Sequence, residues 1–202
     1  MSSRKQALLF VVSAPSGAGK TTLCHGLLAE FGRMARSISC TTREKRRGEV
    51  DGKDYCFISE AEFLERIGRG DFLEHAVVHG HRYGTPRKPV ERLLASGRDV
   101  LMAIDVQGAH QVREKAGISP EGSLLRQRLV DIFIVPPSPR ILKKRLIARG
   151  QDRPDEIRRR LIGAKKELAR MHEFKYRVVN DDLDTALDSL RSIVKTEHLR
   201  RQ

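Results

Sequence analysis

The sequence predicts an α/β fold in which helices flank a mainly parallel sheet. Three observations carry it. Short apolar runs alternate with helical runs along the chain, and the first apolar run opens directly into a glycine-rich turn and then a helix. Third, the run 100–104 is apolar on both faces, as a buried parallel strand is. At 202 residues the chain fits one domain with small insertions and a substantial core.

The first strand is the run 7–12. It leads into Ser13, Ala14, Pro15, Ser16, Gly17, Ala18, Gly19, Lys20, Thr21 and Thr22. In a loop of this form the glycines let successive N–H groups converge on phosphate oxygens, Lys20 reaches the β- and γ-phosphates, and the Thr21 hydroxyl ligates Mg²⁺. The sheet is therefore expected to be of the P-loop NTPase type, gripping ATP or GTP. Ala14 stands where the pattern G-x-x-x-x-G-K-[ST] has its first glycine, which requires a negative φ there.

The helix from Thr21 is expected to stop at Gly32. A short strand over 36–41, a basic loop over 43–47 and a strand over 54–58 follow. Ser59 and Glu62 form a capping box that opens the next helix. Residues 72–78 read as a strand and Tyr83-Gly84 as a turn. Thr85-Pro86 starts a helix that Gly97 ends. The strand 100–104 carries Asp105 at its carboxyl end, where open α/β sheets meet ligand. A loop over 117–127, a strand over 130–135, helices over 138–149 and 154–171, a strand over 176–179 and a helix over 183–199 complete the chain.

The cysteines Cys24, Cys40 and Cys56 have no C-x-x-C spacing, which suits small buried side chains in a reducing cytoplasm and no structural metal. The apolar run after Arg4 and Lys5 is too short for a signal peptide or a membrane span. A cytoplasmic protein without a membrane partner is expected. The net charge of +13 is concentrated in two segments. Residues 33–47 hold six Lys/Arg against one acid, residues 140–170 hold twelve against four, and these two excesses account for the whole of it. Aromatic residues are 5% of the chain and there is no Trp, so a stacking platform for single-stranded nucleic acid is not expected. Basic segments on either side of a phosphate loop fit the enclosure of small polyphosphates.

With the loop at 13–21, the chain also carries Thr41-Thr42-Arg43, Gly48-Glu49-Val50-Asp51-Gly52-Lys53-Asp54-Tyr55, Tyr83-Gly84-Thr85, Ile104-Asp105-Val106-Gln107-Gly108 and Val179-Asn180-Asp181-Asp182. Together these resemble the guanylate kinase family over residues 7–190. The resemblance implies one domain with a core (1–35, 86–137 and 171–202), a strand-rich GMP-binding insertion (36–85) and a helical lid (138–170). It also implies the reaction ATP + GMP ⇌ ADP + GDP with Mg²⁺. Matched by position, Ser39, Arg43, Arg46, Tyr55, Glu74, Tyr83, Thr85 and Asp105 hold GMP. The loop residues and Asn180 hold ATP, while Lys20, Arg145, Arg149 and Arg160 act on the transferring phosphoryl group.

Chemistry favours several of these roles independently. Arg43 and Arg46 can form forked hydrogen bonds to a phosphate dianion, with the Tyr55 and Tyr83 hydroxyls adding donors. The Glu74 carboxylate only accepts, matching the N1–H and N2–H₂ donors of guanine, while Ser39 or Thr85 can donate to O6. Adenine would set a lone pair against that carboxylate. Arg145 and Arg149 share one helix face, while Leu142 and Leu146 share another and pack inward.

Two positions depart from the family pattern. Ala103 stands where many relatives have aspartate, and Lys45 where relatives often have proline; altered kinetics are expected from both. The competing functions are a non-catalytic guanylate-kinase-like protein-binding module, a kinase for a phosphorylated sugar and a nucleic-acid binder. Intact Lys20, Thr21 and lid arginines oppose the first. A base-reading Glu74 with Ser39 opposes the second.

Overall fold

A computed structural model of the protein describes residues 6–78, 80–118, 124–148 and 154–201. In chain order the elements are β1 (Leu9–Ser13), α1 (Lys20–Glu30), β2 (Met34–Arg36), β3 (Cys40–Thr41), β4 (Cys56–Phe57), α2 (Glu60–Gly68), β5 (Phe72–Val78) and β6 (His81–Pro86). Then come α3 (Arg87–Ala95), β7 (Asp99–Ala103), α4 (Val106–Ile118), α5 (Leu124–Arg128), β8 (Leu129–Val135), α6 (Pro139–Ala148), α7 (Pro154–Ala169), β9 (Tyr176–Val179) and α8 (Leu183–Leu199). Among the described residues no helix is long and apolar enough to cross a membrane.

The main sheet has five strands in the order β2-β7-β1-β8-β9, and every neighbouring pair is parallel. β1 lies at its centre and all five of its residues are buried. Because side chains alternate along a strand, β1 and the residues before it feed two cores. Leu8, Phe10 and Val12 pack with Leu23 and Leu27 of α1 and with Leu190 and Val194 of α8. Ala7, Leu9 and Val11 pack on the other face with Val90 and Leu94 of α3 and Val112 of α4. With all strands parallel, the loops that leave β1, β7 and β8 emerge at one end.

The second sheet has four strands in the order β4-β3-β6-β5 and is mixed. Its small core is Cys40, Phe63 and Phe72, with the two phenylalanine rings stacked at 4.6 Å. The α6–α7 pair has a separate cluster of Leu142, Leu146 and Ala164, so both leucines pack inward as the helical spacing predicts.

The strands at 72–78 and 176–179 and the helix at 183–199 have the expected bounds. Ser59 caps α2 by accepting from the Glu62 N–H at 3.1 Å, but the Glu62 side chain turns to Arg66 instead of closing the box. The run 36–41 is two strands. Met34–Arg36 pairs with β7 and Cys40–Thr41 with β6, because the chain passes from one sheet to the other between them. Tyr83-Gly84 is inside β6; the hairpin turn includes Gly80, at φ 83°. Gly84 answers to packing, since a Cβ there would lie 3.0 Å from both Phe63 and Phe72. α1 ends at Glu30, before Gly32. The expected loop at 117–127 carries the end of α4 and most of α5, with Leu125 buried in the second core; residues 119–123 lie outside the described residues.

Glu197 of α8 is fully buried. It accepts from the Tyr176 hydroxyl at 2.6 Å and from Lys175 Nζ at 2.9 and 3.0 Å. Burial pushes its carboxyl up, hydrogen bonds from Tyr176 and Lys175 outweigh that, and the net position is below the ordinary carboxylate range. Such a group stabilises the fold above its unfolded pKa, and that stability is lost as pH falls through the folded value. Glu197→Ala is expected to cost about 2 kcal/mol, since it removes a charged acceptor of the Tyr176 and Lys175 hydrogen bonds. Glu197→Gln should flatten the acid-side fall in stability below about pH 4.3 in urea unfolding; an unchanged acid limb counts against this.

Candidate active site

The turn after β1 is held in shape from two sides. Gly17 and Gly19 both have φ 92°, a conformation that L side chains rarely adopt. A Cβ on Gly17 would meet Leu142 and Leu146 of α6 at 3.1 Å, and one on Gly19 would lie 2.2 Å from Asn180 Nδ2. Asn180 donates from that amide to the Ala18 carbonyl at 2.7 Å, and its own N–H donates to the Val135 carbonyl at 2.8 Å. The residue after β9 thus braces the loop after β1. Ala14 packs its methyl group into the first core.

Lys20 starts α1 and donates from Nζ to the Ile104 carbonyl, just past β7, at 2.7 Å. Desolvation lowers its pKa, opposed by Cys24, Asp105, Glu167 and Glu74. Glu167 of α7 belongs to this group, although no motif marks it. Desolvation raises its carboxyl to about 7, against the pull of Lys20 and of the nearby Ser16 backbone. The one trace in the sequence is its place three residues after Ala164, on the inward face of α7.

Lys20, Ser39, Tyr55, Glu74, Tyr83 and Asp105 meet around a cavity of about 250 Å³. Glu74 of β5 is the register partner of Thr85 on β6. The Thr85 hydroxyl donates to Glu74 Oε1 at 2.6 Å, and Ser39 Oγ lies 3.1 Å from Thr85 Oγ1. Thr85 is fully buried with its proton committed to Glu74, so Ser39 is the hydroxyl left to face the cavity. Gly108 makes room for the carboxylate, since a Cβ there would lie 2.5 Å from Glu74 Oε2. Asp105 lines the cavity and also caps α4, accepting from the Gly108 N–H at 2.8 Å.

At the cavity mouth the Arg43 guanidinium forms a fork with Glu49, at 3.0 and 2.8 Å, and donates from Nε to the Tyr83 hydroxyl at 3.3 Å. It lies 5.5 Å from the centre of the Tyr55 ring. Glu49 also accepts from the Arg46 N–H at 2.8 Å, while the Arg46 side chain is exposed. Glu49 lies within the motif 48–55, but its spacing of six from Arg43 matches no periodic element, so its pairing is not legible in the sequence.

A second cavity of about 440 Å³ lies across the loop, lined by Gly17, Gly19, Thr22, Arg145, Asn180 and Asp181 among others. Arg145 donates to the Asp181 carbonyl at 3.4 Å, and its Nη1 is buried with no hydrogen-bond partner among the described residues. Thr21 is exposed on the first turn of α1. Arg160 lies on α7 and lines neither cavity. Arg149 lies outside the described residues. Ala103 is exposed on the wall of the first cavity.

A parallel five-stranded sheet whose first strand opens into a glycine-rich loop, with one cleft on each side of that loop, defines an α/β P-loop NTPase-like protein. The sequence model of the family described as guanylate kinase matches residues 6–197. The chain is 46% identical over 198 residues to a guanylate kinase of Rhodopseudomonas palustris, covering 98% of this chain and 86% of that protein. It is 49% identical over 192 residues to one of Hahella chejuensis, covering 95% and 88%. The crystal structure of guanylate kinase from Anaplasma phagocytophilum superposes with a TM-score of 0.75 at 32% identity, over 96% of this chain and 87% of that one. The chain belongs to the guanylate kinase family.

Burial raises the Glu74 carboxyl to about 7, opposed by the Thr85 hydrogen bond and reinforced by Asp105. The folded state therefore holds this proton more tightly than the unfolded chain. The contribution is full below the ordinary carboxylate range and is lost as pH rises to about 7. Glu74→Gln removes the penalty, so its gain in Tm over the parent should be larger at pH 8 than at pH 5. Equal gains at the two pH values would rule the cause out.

Proposed function

We propose that the protein transfers the γ-phosphoryl group of ATP to GMP, giving ADP and GDP. The observation that carries this reading is the phosphate loop lying between two cavities, one of which has buried Glu74 on its wall. In this reading GMP takes the cavity of Ser39, Glu74 and Tyr83, with its phosphate toward Arg43, Arg46 and Tyr55. ATP takes the loop, with its base side toward Asn180. The small sheet and α2 act as the acceptor-binding insertion of residues 36–85, and α6 with α7 as a lid of residues 138–170, on the remaining core. The family and the absence of a membrane-crossing helix among the described residues support a cytoplasmic setting.

Ionised Glu74 accepts from guanine N1–H and N2–H₂ and repels the adenine lone pair, while Ser39 donates to O6. The acceptor phosphate has its second pKa near 6 and is largely dianionic at neutral pH, so no general base is required. Lys20, Arg145, Arg149 and Arg160 neutralise charge on the transferring group, and closure of α6 and α7 excludes water. The residues present fit Mg²⁺. Thr21 offers an exposed hydroxyl at the loop, and no cluster of three or more His, Cys, Asp or Glu occurs among the described residues. That suits an ion that takes most of its ligands from phosphates and water. When bound it supplies charge neutralisation between the phosphates. In the same reading Ala103 leaves its part of the cavity wall without a carboxylate, and Lys45 leaves the phosphate-facing loop less rigid than proline does.

Purified protein with Mg²⁺-ATP should produce ADP with GMP and far less with AMP, CMP or UMP. Absence of turnover with all four would favour the protein-binding module. Glu74→Gln should raise the KM for GMP and narrow the GMP/AMP preference; an unchanged ratio sinks its role as base reader. Arg145→Ala should lower kcat by about 10³, the lower end of arginine-finger effects. A loss within tenfold would remove it from the phosphoryl-transfer machinery.

A further inference from the structure

Cys40 on β3 and Cys56 on β4 are register partners in a parallel pair. Their side chains therefore leave the small sheet on the same face. Adjacent strands are about 4.8 Å apart, within the Cα range of about 4.4–6.8 Å that a disulfide spans. On either side the strands are tied by the Cys56 N–H to the Ser39 carbonyl at 2.9 Å and the Ile58 N–H to the Thr41 carbonyl at 3.0 Å. Rotation of the two side chains, with a small closing of the strand spacing, brings the sulfurs together.

The surroundings give this pair access and charge. Cys40 and Cys56 line a cavity of about 460 Å³ behind the small sheet, with Arg36, Arg66, Lys88 and Arg92 in its walls. Arg66 Nη1 lies 3.3 Å from Cys40 Sγ. Cys56 is half-buried and meets an oxidant first, whereas burial pushes the Cys40 thiol up to about 12. Cys24 is buried in the main core and has no such cavity.

We propose that Cys40 and Cys56 are a modification site at which a hydroperoxide forms a reversible intrachain disulfide. The Cys56 thiolate attacks a peroxide oxygen, the O–O bond breaks, and Cys56 becomes a sulfenic acid as the other oxygen leaves as hydroxide and takes a proton. Cys40 sulfur then attacks Cys56 sulfur, the S–S bond forms, the S–O bond breaks, and the departing hydroxide takes the Cys40 proton as water. Two thiols lose two electrons and one hydrogen peroxide becomes two waters. A bridge directly across adjacent strands draws Cβ atoms from the strand spacing toward about 3.8 Å. That strain makes it readily reduced by a dithiol, as regulatory disulfides are. Ser39 precedes one cysteine and Tyr55 the other, and both line the first cavity, so the bridge pins two of its walls.

The full-length protein would be treated with hydrogen peroxide, alkylated under denaturing conditions, digested without reductant and mapped by mass. The expected result is a peptide pair joined through Cys40 and Cys56, lighter by two hydrogens, with Cys24 alkylated and the pair released by dithiothreitol. In Cys40→Ser, dimedone should label Cys56; in Cys56→Ser, Cys40 should remain fully alkylatable. If Cys40→Ser fails to fold, the parent protein and Cys56→Ser still decide the matter. Full alkylation of both cysteines in the peroxide-treated parent overturns the proposal, as does a bridge that involves Cys24 or a second chain.

Discussion

Everything at the candidate active site depends on β1 being buried between β7 and β8 with all three strands parallel. Its side chains supply both cores, so its position is over-determined by packing on two faces. Parallel pairing then delivers the turn after β1, the Ile104-Asp105 end of β7 and the end of β8 to one edge of the sheet. Lys20 reaches Ile104 because β7 adjoins β1, and Asn180 reaches Ala18 from the end of β9, one strand beyond β8. The loop's left-handed glycines are tolerated for the same reason, since Asn180 and the α6 leucines fill the space that side chains would need.

Charge at the site is held under tension. Glu74 is 3% exposed and Glu167 faces Lys20, and each is raised to about 7 by loss of water around it. A buried carboxyl with one short hydrogen bond is less stable ionised than it would be in solvent. The Arg43–Glu49 fork shows the opposite condition, with a cation kept charged and oriented by a carboxylate.

The chemistry-bearing positions were legible wherever they sit in a contiguous motif whose spacing has a mechanical meaning, as in 13–22 and at Asp105 after an apolar strand. Elements with clear periodicity, such as α8 and β5, were legible for the same reason. The misses share one cause, which is dependence on a partner distant in sequence. Gly84 resembles a turn residue but is small because Phe63 and Phe72 press on it. Residues 36–41 look continuous, yet they divide between two sheets because each half finds a different partner strand. Glu167 and Glu49 have no spacing that marks what they do, since their surroundings are set by Lys20 and Arg43.

By itself the sequence determined the fold class, the phosphate loop, the alternation that buries β1 and the family to which the chain belongs. Those properties follow from local pattern, where backbone conformation and side-chain period are written within a few residues. Tertiary structure decided which hydroxyl faces the cavity beside Glu74, what holds the loop glycines in place, that cavities lie on both sides of one loop, and that Cys40 lies beside Cys56. Strand order and register determine these, because they bring together groups that the chain keeps apart.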